Sequence, residues 1–279
     1  MKKRYHFQSF STMKLFLLTL FVALALATGS PARLNRTSLL PQVTLSQDGR
    51  IVNGYPAAEG QAPYIVGLLL RWDGSNSAAV GAGTIIGNTW VLTAAHCLTT
   101  DYVEINYGSL NAWNGALKET VRSDQFISHP DWPAQSGHDI GLIRTPFVTY
   151  TSLINKVALP SLSEQSDRFV DTWCTACGWG GMDDGNLASV LQCMEVQVIS
   201  NSECEQSYGS VAATDMCTRL TDGKSGCGGD SGGPLVTQDN PRLVGVIAFG
   251  SGDCHSGPSG YTRVSDYLVW IQSNTGISY

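Results

Sequence analysis

Positive charge is scarce in this sequence. Of 279 residues only 17 are Lys or Arg against 23 Asp or Glu, a formal net charge of −6, and the balance is uneven along the chain. Seven basic residues but a single acidic one, Asp48, fall within residues 1–50, which leaves ten basic and 22 acidic side chains in 51–279. A surface that acidic repels phosphate backbones and anionic lipid, which argues against nucleic acid or a charged membrane as partner. Internal repeats, low-complexity tracts and charged linkers are also absent from 51–279, which excludes solenoids and strings of tethered modules. The most apolar run, Leu15–Ala27, falls short of the ~20 residues that a membrane-crossing helix needs, so no membrane anchor is expected. Cys174-Thr175-Ala176-Cys177 has zinc-type spacing but no second pair or nearby histidine, and the stretch Tyr107 to Glu119 has no carboxylate cluster for calcium. No metal and no cofactor are expected. His129, His138 and His255 read as surface or structural histidines.

The first fifty residues describe processing. Lys2, Lys3, Arg4 and Lys14 precede the apolar run, and the small residues Ala25, Ala27, Ser30 and Ala32 close it, the pattern of a secretory signal peptide over about residues 1–30. An uncleaved signal anchor is the alternative. Residues 31–50 then form a short pro-segment containing Asn35-Arg36-Thr37, a glycosylation acceptor, and end at Gly49-Arg50-Ile51-Val52-Asn53-Gly54. A secreted, extracellular protein results, and eight cysteines suit that oxidising setting.

Within 51–279, short apolar and β-branched runs alternate with Gly, Asn, Asp and Pro. Tyr64 to Leu70, Thr84-Ile85-Ile86, Trp90-Val91-Leu92 and Leu243 to Ile247 are the clearest, and the rhythm predicts an all-β fold. At the end, Val264, Tyr267, Leu268 and Ile271 stand at helical spacing and predict a terminal amphipathic helix packed on the second half.

Three separated segments carry chemistry: Thr93-Ala94-Ala95-His96-Cys97, His138-Asp139-Ile140-Gly141-Leu142 and Gly228-Gly229-Asp230-Ser231-Gly232-Gly233-Pro234. A serine hydroxyl is a poor nucleophile until an imidazole takes its proton, and a buried carboxylate fixes the tautomer of that imidazole and stabilises its charged form. Ser231, His96 and Asp139 can fill those roles. The glycines around Ser231 let the amides of Gly229 and Ser231 converge on one point, where a developing oxyanion gains about 3–4 kcal/mol per donor. A lone Gly-x-Ser-x-Gly string or a lone histidine would carry little. The order His, Asp, Ser matches the chymotrypsin group and differs from that of subtilisins and α/β-hydrolases.

On these segments, and on Ile86 to His96, Gly178-Trp179-Gly180-Gly181, Val196 to Ser200 and the closing Asn274 to Tyr279, the chain resembles the chymotrypsin-like (trypsin-type) serine protease family, closest to the insect digestive Jonah-type group. The resemblance covers nearly all of 51–279. It implies two antiparallel six-stranded β-barrels with the boundary near residues 154–165, His96 and Asp139 on the first barrel, Ser231 on the second, and the cleft between them. It also implies a zymogen cut after Arg50, whose new Ile51 amino group turns inward to pair with Asp230.

The floor of the specificity pocket falls by resemblance on Ser225, with Gly250 on one wall and Ser259 on the other. An uncharged floor leaves a buried Lys or Arg unpaired at a cost of several kcal/mol, so large apolar or aromatic side chains are expected at the cleaved position. An elastase-like taste for small residues is the alternative, and Ser259 narrows the slot. Ala248 stands where the family usually has a serine supporting the catalytic carboxylate, and Phe249 where it usually has tryptophan. The resemblance implies bridges Cys204–Cys217 and Cys227–Cys254. A third, Cys177–Cys193, is expected across a hairpin, leaving Cys97 and Cys174 as buried thiols because Gly81 and Thr237 occupy their usual partners' positions. Implied partners are protein or peptide substrates, an activating trypsin-like protease and protein inhibitors, for a monomer in a setting such as a gut lumen. A secreted, non-catalytic binding or lectin-like homologue is the rival from a different class.

Overall fold

Residues 54–134, 137–182 and 184–279 are described by the structure, a computed structural model. The expected signal peptide, the pro-segment with Asn35, and the junction residues Arg50 and Ile51 lie outside them.

Alternating burial organises the first half. After the short strand β1 (Tyr55–Pro56), β2 (Ile65–Arg71) sends Val66, Leu68 and Leu70 inward, and it lies between β3 (Ala78–Gly87) and β5 (Tyr102–Tyr107). The fourth strand, β4 (Trp90–Thr93), joins β3, while β6 (Leu117–Arg122) pairs with β5; β7 (Phe126–Ser128) and β8 (Gly141–Arg144) complete an antiparallel sheet of order β6-β5-β2-β3-β4-β8-β7. Val66, Leu68, Ile85, Val91, Val103, Ile105 and Leu142 are its core, each contributing about 1.5–3 kcal/mol through burial.

The second half closes on itself. Its strands are β9 (Trp173–Gly178), β10 (Gln192–Ile199), β11 (Asp215–Thr218), β12 (Pro234–Thr237), β13 (Leu243–Phe249) and β14 (Ser259–Arg263), with β9 bonded to both β10 and β12, so that six strands form a complete barrel. Ala176, Met194, Val196, Val198, Leu235 and Ile247 fill it. Closure removes the free edges that a sheet would otherwise expose. The first sheet has seven strands rather than the expected six and curls as a half-barrel whose end strands are not bonded to each other; with one barrel closed and one open, the fold keeps the expected chymotrypsin-like plan.

Cys177 and Cys193 face each other across the β9–β10 ladder and are bridged; Cys204 is joined to Cys217, and Cys227 to Cys254. Cys97 and Cys174 are buried free thiols. Between β10 and β11, helix α1 (Asn201–Tyr208) starts where the Ser200 side chain accepts the amide of Glu203, a serine N-cap.

One expectation is corrected. The terminal helical segment is a 3₁₀ turn, Val264–Tyr267, leading into α2 (Leu268–Thr275), and its buried face does not sit on the second half alone. Val264, Leu268 and Ile271 join the same core as Val66 and Leu92 of the first half together with Val236 and Val246 of the second. The helix is therefore a clasp across both halves, because its apolar stripe completes a core that the open sheet leaves uncovered. The buried Trp179 makes a second link, its indole N–H donating to the Leu110 carbonyl at 2.8 Å.

Candidate active site

Strand β4 ends at Thr93, and the chain turns through a 3₁₀ segment, Ala95–Leu98, that buries His96 to 6% exposure. Asp139 arrives just before β8 and grips His96 at two points. Its Oδ1 accepts the His96 main-chain N–H at 2.9 Å, and its Oδ2 lies 2.6 Å from His96 Nδ1. A carboxylate on Nδ1 holds the proton on that nitrogen and leaves Nε2 as the free base. Nε2 is buried and makes no hydrogen bond to any described residue. Burial alone would lower the pKa of His96, but the Cys97 sulfur and the Asp139 carboxylate outweigh it and hold the imidazole well above its ordinary value.

Asp139 is in turn held from the other half: the Thr262 hydroxyl on β14 donates to its main-chain oxygen at 2.8 Å. The preceding His138 has φ +61° and meets the Tyr267 hydroxyl through Nδ1 at 3.0 Å. Ala248 supplies no hydroxyl to Asp139; the support comes through the backbone instead. Sequence reading passed over Thr262 and Tyr267, since nothing in their spacing ties them to a residue more than 120 positions away.

Ser231 is fully buried in the loop between β11 and β12, and that loop is pressed against the His96 segment. The Ser231 carbonyl accepts the Ala82 amide at 2.8 Å and lies 3.6 Å from Cys97 Sγ. Gly232, at φ +82°, packs so tightly on the Ala82 carbonyl and the Thr93 hydroxyl that any Cβ would collide with both. Gly229 has φ +104°, with Gly180 Cα and Leu187 Cδ2 each 3.0 Å from where a Cβ would stand. The structure thus brings the three predicted segments together at one junction of the two halves.

Asp230 points away from this junction into the protein. It is 0% exposed, and its carboxylate lies against Gly178 and Gly180, where a Cβ at either position would collide with it. Oδ1 accepts the Gly180 amide at 2.7 Å and Oδ2 the Cys227 amide at 3.0 Å. Burial outweighs both hydrogen bonds and pushes its pKa up to about 6. The alternating glycines of Gly178-Trp179-Gly180 were the available sequence signal for this cradle.

Ser225, Gly226 and Ser259, the residues expected around the specificity pocket, lie together and buried. The Ser225 hydroxyl donates to the Cys254 carbonyl, and the Ser259 hydroxyl accepts the Gly226 amide at 2.9 Å. Both hydroxyls are engaged with backbone, and neither residue brings a charge. The Phe249 ring packs on Gly260, edge-on to Tyr208 with ring centroids 5.4 Å apart; Tyr208 is anchored by donating to the Pro258 carbonyl at 2.5 Å. Gly250 follows Phe249 and is buried.

The trypsin family model matches residues 51–271. "Serine protease 1" of Drosophila melanogaster is 48% identical over 246 residues, 86% of this chain and 91% of the relative. The collagenase of Hypoderma lineatum is 40% identical over 239 residues, 84% of this chain and 90% of its own length. A solved structure described as HL collagenase at 1.7 Å resolution superposes with a TM-score of 0.76 at 38% identity, covering 82% of this chain and all of that one.

Proposed function

This chain belongs to the trypsin family and is a serine endopeptidase, and from that premise we propose that Ser231 is its nucleophile, His96 its general base and acid, and Asp139 the carboxylate that orients the base. The observation that carries the assignment is the two-point grip of Asp139 on His96, which leaves Nε2 unbonded in a segment packed on the nucleophile loop.

In the proposed reaction the Ser231 hydroxyl attacks the scissile carbonyl carbon as its proton passes to His96 Nε2, and Asp139 stabilises the imidazolium. The carbonyl oxygen becomes an oxyanion bound by the amides of Gly229 and Ser231. Collapse of the tetrahedral species breaks the C–N bond, with Nε2 returning the proton to the leaving amine, and water then repeats the sequence to release the acyl group.

The enzyme is proposed to be secreted as a zymogen. A cut after Arg50 by a trypsin-like protease frees the Ile51 amino group, whose positive charge neutralises Asp230. The support is the state of Asp230: a buried carboxylate with two amide donors and no cation among the described residues is costly when charged, by about 3–5 kcal/mol.

The preference is proposed to be for large apolar or aromatic side chains before the cleaved bond, because Ser225 and Ser259 offer no negative charge and have their polar groups occupied by backbone. The Ser259 side chain also favours the second reading, a slot best filled by smaller apolar residues. The test is to treat the zymogen with trypsin, confirm the new Ile51 terminus, and assay short amides bearing Phe, Leu, Ala or Arg, with Ser231→Ala as control. Phe and Leu should lead, Ala leading would select the elastase-like reading, and turnover of Arg alone would refute both.

A further inference from the structure

A second group of donors lies outside the cleft and has no part in the reaction above. His129 follows β7, Asp131 stands two residues on, and His138 immediately precedes Asp139; one ligating atom from each lies within 4.8 Å of the others. The two imidazoles stack with centroids 4.9 Å apart, and His129 Nδ1 is 3.9 Å from Asp131 Oδ2. We propose that His129, Asp131 and His138 form a binding site for a zinc-class dication.

Two imidazoles and one carboxylate are the donor set that such ions take, whereas calcium and magnesium require oxygen ligands almost exclusively. Three protein ligands leave a fourth tetrahedral position for water. The surroundings prepare the ligands. The Tyr267 hydroxyl lies 3.0 Å from His138 Nδ1; in the tautomer that carries its proton on Nδ1, that N–H donates to the hydroxyl and Nε2 keeps a lone pair for the ion, the usual outer support of a metal-bound histidine. His129 is held between the rings of Tyr267 and Trp270, with centroids at 5.1 and 5.3 Å, and its side chain is only 12% exposed. Asp131, by contrast, is 46% exposed on its side chain and free to swing. Tetrahedral zinc at about 2.1 Å sets its ligand atoms about 3.4 Å apart, so atoms that all lie within 4.8 Å of one another have to close by at most about 1.4 Å, within reach of rotation at that exposed carboxylate and the ring torsions. An ion there would brace the peptide leading into Asp139 and tie it to the end of β7.

The test is calorimetric titration of the processed Ser231→Ala protein with zinc chloride. One saturable site per chain is expected, with affinity at least about ten-fold weaker in His129→Gln and in His138→Gln. No saturable heat would overturn the proposal. So would undiminished affinity in those variants, which would put the ion on His96 and Asp139 instead. Asp131→Asn alters only the exposed rim and keeps the test decisive if a histidine variant fails to fold: its affinity should fall, and an unchanged value would equally overturn the site.

Discussion

The sulfur of Cys97 lies 3.6 Å from the main-chain oxygen of Ser231, so the residue after the proposed base and the proposed nucleophile share one wall. The same wall includes Gly81, where a Cβ would stand 3.3 Å from Cys97 Sγ and 3.2 Å from the Ser231 oxygen.

Gly81→Cys should therefore close a bridge to Cys97. A loop of this length is worth about 3 kcal/mol in the chain-entropy account. Thiol titration under denaturing conditions should find one free thiol, that of Cys174, where the parent has two, and the midpoint of urea unfolding should rise. Three free thiols in the variant would contradict the geometry.

Asp139→Asn should leave the fold intact and lower kcat by about 10⁴, the loss associated with the wrong histidine tautomer in the chymotrypsin-type template. The pH profile carries an independent reading. Catalysis needs neutral His96, and since its pKa is raised, kcat/KM should climb with pH through a value above the usual 6.5 or so. For stability the sign is opposite: the charged His96–Asp139 pair stabilises fully below the unfolded imidazole value and fades as pH rises through the folded one. In Asp139→Asn the limb of kcat/KM should move to lower pH.

Asp230 titrates in the reverse sense to an ordinary paired carboxylate. With its folded pKa pushed up to about 6 from an ordinary value of 3.8, the unprocessed protein should be most stable below about pH 4 and lose stability as pH rises through 6. The gap is worth about 3 kcal/mol. Urea midpoints measured from pH 4 to 7 in the Ser231→Ala background should fall less steeply once Asp230→Asn is added. With Ser231 retained, Asp230→Asn should be cut normally after Arg50 and yet stay inactive; full activity would rule out the pairing with Ile51.

Ser259→Gly should open the proposed specificity slot. The kcat/KM for Phe relative to Ala amides should rise about ten-fold, a difference on the scale of one or two methylenes of fit. Loss of the hydroxyl that accepts the Gly226 amide should cost about 1 kcal/mol of stability unless water replaces it. An unchanged Phe/Ala ratio would mean that Ser259 does not line the slot.

Local signals were strong where local chemistry is decisive. The glycine-flanked Ser231 and the order of the three segments pointed to the groups proposed to react, and apolar runs such as Leu243 to Ile247 marked real strands. The support of Asp139 was invisible, because Thr262 reaches it, and Tyr267 its neighbour His138, from the other half of the fold. The cradle of Asp230 was visible only as a family string of glycines, without the close approach that makes glycine necessary there.

By itself the sequence determined which side chains can exchange a proton and which runs can form strands, since both are properties of residue type and short spacing. Only the tertiary structure decided how those groups are held: the two-point grip on His96, the burial that raises the pKa of Asp230, the helix that clasps both halves, and the meeting of His129 with His138. Each depends on distances between segments far apart in the chain, and those distances are set by the packing of two cores, a cooperative outcome that no local pattern encodes.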